Sequence, residues 1–205
     1  MKGWLQKQKK RQVIVFTHDL VFYRELMFYA TRHQVEVKFQ NFDAINSTVG
    51  IISDQAPWSA MKVNERINTL EEILKEAKKA TAASDIKSYR VTFYGFYDKL
   101  RSTWERAVEE ILFNQVVQRL EKEVKTMSLD GVVVDDEAIE TVFKGMEKTS
   151  AMIEAHDHAS AQGSSLPGVD SLYKDLEELK IFLKAQQKKR KDAEERLKHL
   201  KKKAV

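Results

Sequence analysis

Apolar residues fall along this chain in two rhythms. Near the start, 13-VIVF-16 is an unbroken run of β-branched and aromatic residues, the pattern of a strand buried on both faces. From Asp19 onward Leu20, Phe22, Tyr23, Leu26, Met27 and Ala30 recur at helical spacing. The segment 35-VEVKF-39 then alternates with period two, and 48-TVGII-52 is placed to pair with it. After Pro57 the rhythm becomes helical throughout. Val63, Ile67, Leu70, Leu74 and Ala77 step by four and three, a heptad seam that predicts a helix packed on another helix.

The small and capping residues of 81-TAASDI-86 mark a boundary, with Ser84 or Asp85 as the cap of the next helix. That helix is expected to run to about Met127. It would bury Tyr89, Phe93, Leu100, Trp104, Val108, Ile111, Val116 and Leu120, with a kink or break near Gly95. The aromatic cluster from Tyr89 to Trp104 reads as core, or as a platform on which bases stack. Leu129 to Val134 is a connector, and 135-DDEAIETVFKGMEK-148 opens a further helix behind acidic residues that suit a helix N-terminus. This helix continues through His156 to Ala161, ahead of the linker 162-QGSSLPG-168. Leu172, Leu176, Leu179 and Leu183 form a second seam, which Gln186 and Arg190 interrupt before Ala193, Leu197 and Leu200.

The expected fold class is therefore mainly α. A short β-sheet edge at residues 1–55 (with residues 1–10 as the last turns of a helix) precedes a helical domain at 56–162 and an amphipathic, basic helix at 163–205. The two seams pair with each other within the chain or across a dimer; the pattern permits both.

Composition narrows this picture. Two prolines and seven glycines in 205 residues favour long helices. The absence of cysteine excludes disulfides, Cys-based metal sites and thiol nucleophiles. No apolar run approaches the roughly 20 residues that span a bilayer, and MKGWLQKQKKRQ lacks the apolar region of a signal peptide, so a soluble, cytoplasmic protein is expected. The net charge of +4 is uneven: Lys184 to Lys203 hold ten Lys or Arg against three acidic residues. Lys188, Lys189, Arg190 and Lys191 are the densest part. They suit either a nucleic acid or the negative end of a helix dipole.

The run VIVFTHD resembles the switch-histidine strand of ABC-type ATPases, the group that includes SMC and RecF-like proteins. Four segments in order, 13-VIVFTHDLVF-22, 57-PWSAMKVNERI-67, 101-RSTWERAVEE-110 and 156-HDHASA-161, are similar to the C-terminal part of large bacterial AAA-family ATPases of the RecF/SMC-like type. The resemblance covers nearly the whole chain. It implies that Gln12 to Phe16 is the strand and His18 the switch histidine that reaches the γ-phosphate. It implies too that residues 1–55 are the back end of an ATPase core in a nucleic-acid-related or anti-phage defence system.

The departures are equally plain. There is no GxxxxGK[ST] run to cradle phosphates and no LSGGQ-like signature. The one stretch imitating a Walker B strand, 132-VVVDD-136, follows the histidine instead of preceding it. The chain alone is not expected to hydrolyse ATP. ATP and Mg would enter only with a partner carrying the P-loop and Walker B.

A second constellation suggests an enzyme in its own right. Arg101 and Glu105 are four apart on one helix face, and His156 (or His158) lies on another helix. If the helices converge, the histidine can move a proton at an RNA 2′-OH, the arginine can stabilise the phosphorane and the glutamate can orient one of them, without metal. This looks like the HEPN-type ribonucleases, especially anticodon nucleases whose nuclease domain follows an ABC-type ATPase; Asn114 is a possible further polar contact. Read plainly, the same residues are a surface ion pair and ordinary helix histidines. A third reading is a helical scaffold dimerising through its seams.

Overall fold

The computed structural model describes residues 12–45, 48–54, 56–119, 121, 123–162 and 166–201. The chain forms two compact units. One comprises Met1–Met61 with Arg119–Lys122; the other comprises Lys62–Gln118 with Glu123–Val205.

In the first unit, helix α1 (Leu20–Arg32) begins where Asp19 accepts hydrogen bonds from the Val21 and Phe22 N–H groups, satisfying donors that a first helical turn leaves open. Strands β1 (Asn41–Ile45) and β2 (Thr48–Ser53) form an antiparallel pair. Between the pairs Asp43–Ile51 and Ala44–Val49 the register skips Gly50, whose φ of 83° is accessible without strain only to glycine. The partner of 48–52 is thus residues 41–45, and the alternating 35-VEVKF-39 lies outside the sheet. The nearer segment leaves only residues 46–47 between the strands, so closing the pair costs less chain entropy. Arg24 fastens residues of the later chain to α1: it donates to the Arg119 carbonyl at 3.3 Å and pairs with Glu121 at 2.8 Å.

Residues 12–16 form no strand. They join no ladder, and Val13, Ile14, Val15 and Phe16 are 54, 66, 44 and 83% exposed. The sequence pattern is that of a strand, but a strand exists only beside another, and among the described residues none lies alongside. Of this unit's described apolar side chains, only Ala30 and Met61 are buried.

The second unit is a helical bundle: α2 (Val63–Ala82), α3 (Ile86–Ala107), α4 (Asp136–Gln162) and α5 (Val169–Lys201). One core takes Leu70, Leu74 and Ala77 from α2, Phe93, Phe96, Tyr97, Leu100 and Trp104 from α3, Ala138 and Val142 from α4, and Leu172, Leu176, Leu179 and Leu183 from α5. The two seams therefore serve a single core, and α5 packs into the same unit as α2–α4. Each buried Leu or Phe contributes about 1.5–3 kcal/mol by leaving water.

Asp85 caps α3 by accepting from the Ser88 N–H at 3.1 Å, and Asp135 plays the same part for α4 with Ala138 at 2.9 Å. Helix α3 passes Gly95 without a break. It ends at Ala107, some twenty residues before the expected Met127, and runs into a wider π-type turn at Val108–Leu112. Asn114 and Gln115 then adopt φ of 45° and 60°. Neither glycine nor proline marks this stop. It is held by tertiary bonds: Asn114 donates to the Ser128 carbonyl at 2.8 Å and accepts from Arg190 at 3.1 Å. A 3₁₀ turn (Thr126–Gly131) leads on towards α4.

Candidate functional site

The loop Thr17–Asp19 presents His18. The Asp19 N–H donates to the Thr17 hydroxyl at 3.0 Å while the Asp19 carboxylate caps α1, so both neighbours of the histidine are fixed by local bonds and His18 itself is exposed. The resemblance assigns His18 to a nucleotide γ-phosphate, and no other described residue is placed around it to test that role. The given sequence contains no GxxxxGK[ST] run and no apolar strand ending in an acidic pair ahead of His18.

Arg101 and Glu105 lie one turn apart on α3, as the spacing predicts; Arg101 is exposed and Glu105 half-buried. His156 and His158 fall within α4, but their side chains lie outside the described residues, as does any meeting with Arg101 and Glu105. An exposed guanidinium one turn from a partly shielded carboxylate can bind a phosphodiester and orient a proton-transfer group, the chemistry required of two members of the trio.

Behind this pair lies a set of buried polar groups that sequence reasoning passed over. Arg66 donates to the Ser102 carbonyl at 2.6 Å, Arg106 bonds Glu109 at 3.1 Å, and Glu110 accepts from the Val63 N–H at 3.0 Å, where α2 begins. Arg66, Arg106 and Glu110 are nearly fully buried. Arg106 and Glu110 are four apart in the sequence, the spacing of an ordinary i,i+4 pair on a helix. The π-type turn widens the helix at Val108, and the glutamate reaches the Val63 N–H at the start of α2. A helix that carries two acids and an arginine among residues 106–110 while its apolar stripe continues was the available signal. These groups anchor the end of α3 and so fix the backbone on which Arg101 and Glu105 stand.

The floor of a shallow cleft of about 340 Å³ between α4 and α5 is Trp104. The indole packs directly against Gly145, where a Cβ would come within 2.5 Å of the ring. Among the described residues no cluster of three or more His, Cys, Asp or Glu is placed to hold a metal ion. Among the described residues no helix is long and apolar enough to cross a membrane.

The basic residues of α5 divide between two sides. Lys189 turns to α4, bonding Asp135 at 2.8 Å and Glu137 at 2.7 Å, and Arg190 contacts Asn114 at 3.1 Å and Glu194 at 3.5 Å. The Lys189 ammonium is held above its ordinary pKa by those two carboxylates. Lys188 and Lys191 remain exposed. No family model, no curated protein and no solved structure matches this chain.

Proposed function

We propose that this chain is the C-terminal segment of a RecF/SMC-like AAA-family ATPase, inactive alone and completed by a protein that carries the P-loop and Walker B strand. Residues 12–18 would join that partner's sheet and deliver His18 to the γ-phosphate. The observation that supports this reading is the state of the first unit. Its most apolar run, Val13–Phe16, is in no helix or strand and is exposed, and only Ala30 and Met61 are buried among its described apolar residues. Four such side chains in water forgo roughly 1.5–3 kcal/mol each that burial would return. Burial in a neighbouring sheet would recover it. The test is reconstitution: the tagged chain is expressed with P-loop ATPases from the same genome and assayed for ATP hydrolysis. A P-loop protein that assembles with the chain should be lost with Val13→Lys/Val15→Lys. With His18→Ala it should be retained, but with hydrolysis abolished. An assembled pair whose ATP turnover ignores His18→Ala refutes the proposal.

A second reading is supported by the accessible Arg101 beside Glu105: a metal-independent, HEPN-like ribonuclease using Arg101, Glu105 and His156. Incubation with total tRNA in EDTA tests it. Cleavage should disappear in Arg101→Ala and in His156→Ala; cleavage that persists in both variants rules this site out. The scaffold reading calls for seam residues free to meet another chain, whereas Leu70, Leu74, Leu172 and Leu176 are all buried in one core.

A further inference from the structure

Helix α5 separates its basic residues by face. Lys189 and Arg190 are bound to acidic or polar groups of the bundle, as described above. Lys184, Lys188, Lys191 and Lys198 are all exposed, and none makes an ion pair with a described residue. Spaced by four, three and seven residues, they follow one stripe of the helix, about 21 Å long at 1.5 Å per residue. Glu195 falls on the same stripe and Asp192 on its flank, and Glu194 is taken up by Arg190. Lys184 has no acidic residue one turn away on either side. Lys184–Lys188 and Lys188–Lys191 are like-charge pairs at i,i+4 and i,i+3, which oppose the helix that carries them, and of these three only Lys188 and Lys191 have an acidic residue (Asp192, Glu195) four positions on to offset this.

We propose that this stripe is a docking edge for the phosphate backbone of a nucleic acid. A row of flexible ammonium groups matches a line of phosphates and reads no sequence. An anionic membrane is the other polyanionic surface, but binding there draws on an apolar helix face. In α5 that face (Leu172, Leu176, Leu179, Leu183) is buried in the bundle. The stripe stands independently of the ATPase and nuclease readings, because its assay needs neither nucleotide nor a second chain nor cleavage.

The experiment is fluorescence anisotropy of the full chain with labelled 20-mers, single-stranded RNA, single-stranded DNA and duplex DNA, between 50 and 200 mM salt and in EDTA. Four phosphate contacts give a log–log slope of about −3.6 on duplex DNA, roughly a 150-fold loss of affinity across that range. The triple variant Lys184→Gln/Lys188→Gln/Lys191→Gln should flatten the slope to about −0.9, roughly a 3.5-fold loss. The three oligonucleotides distinguish which nucleic acid is favoured. A matched control, Lys75→Gln/Lys87→Gln/Lys144→Gln, should keep the wild-type slope. Absence of binding at 50 mM salt, or equal flattening in the control, overturns the proposal. So does binding to phosphatidylserine vesicles, without binding to any oligonucleotide, that the triple variant loses.

Discussion

Tyr97, Lys148 and Asp175 bring α3, α4 and α5 together at one carboxylate. The Tyr97 hydroxyl donates to Asp175 at 2.7 Å, Lys148 forms an ion pair with the same carboxylate, and Glu178 stands 3.5 Å from the lysine. Asp175 and Tyr97 are buried, whereas the Lys148 side chain is about a third exposed. Lys148→Met removes the cation while keeping most of the stem. Stranding a fully buried carboxylate costs about 3–5 kcal/mol. Here Tyr97 still donates to it and water reaches the lysine's place, so the expected loss is nearer 1–3 kcal/mol. Tyr97→Phe leaves the ion pair and removes one hydrogen bond to a charged group, about 1.5–3 kcal/mol. Urea unfolding followed by circular dichroism measures both, and the double variant should lose less or more than the sum, because the two share a partner.

The pH dependence has a definite sign. Burial pushes the Tyr97 hydroxyl far above its ordinary pKa, and the Asp175 and Glu178 carboxylates raise Lys148 against the opposing effect of its partial burial. Both groups keep protons in the folded state that the unfolded chain releases near pH 10 to 10.5. Stability should therefore be flat with respect to these groups at pH 7–9 and fall above about 10, by up to roughly 1.4 kcal/mol per pH unit per group. Lys148→Met should remove one share of the alkaline slope, and Tyr97→Phe the other. A Lys148→Met protein as stable as the wild type at pH 7, with an unchanged alkaline slope, would show that the ion pair contributes nothing.

Two further perturbations probe the same bundle. Gly145→Ala places a methyl within 2.5 Å of the Trp104 ring, which lies deep in the core, so the indole or α4 must move; a loss of about 1–3 kcal/mol by urea unfolding is expected, as for overpacking. Leu176→Ala empties a fully packed position where α5 meets the core and should lower stability by about 2–5 kcal/mol, while Val91→Ala, 76% exposed on α3, should leave the midpoint within about 0.5 kcal/mol.

The helical half was legible because its signals are local and repeat. The seams at Val63–Ala77 and Leu172–Leu183 need only periodicity, and Asp85 and Asp135 cap where side-chain chemistry says they should. What escaped depends on partners distant in sequence. Val13–Phe16 has the composition of a strand, but composition cannot supply the neighbouring strand. The end of α3 is set by Asn114 bonding Ser128 and Arg190, and no window of sequence around residue 114 contains Arg190. The candidate site divides in the same way. The i,i+4 relation of Arg101 and Glu105 follows from the helix, whereas the division of Lys189 and Arg190 from Lys188 and Lys191 follows from where α4 and the Asn114 turn lie.

The membership of Arg119–Lys122 in the first unit has a consequence for how the protein is made. Arg24 waits for the Arg119 carbonyl and for Glu121, which leave the ribosome nearly a hundred residues later. At about 5–20 residues per second, α1 and the open run Val13–Phe16 spend roughly 5–20 s outside the ribosome before their own unit can close. A cut after Met61 would separate those pieces for good, so the first unit cannot be obtained whole without the stretch 62–118 that belongs to the bundle. The first unit thus stays open until most of α2 and α3 has been made, and it closes before α5 arrives to complete the bundle.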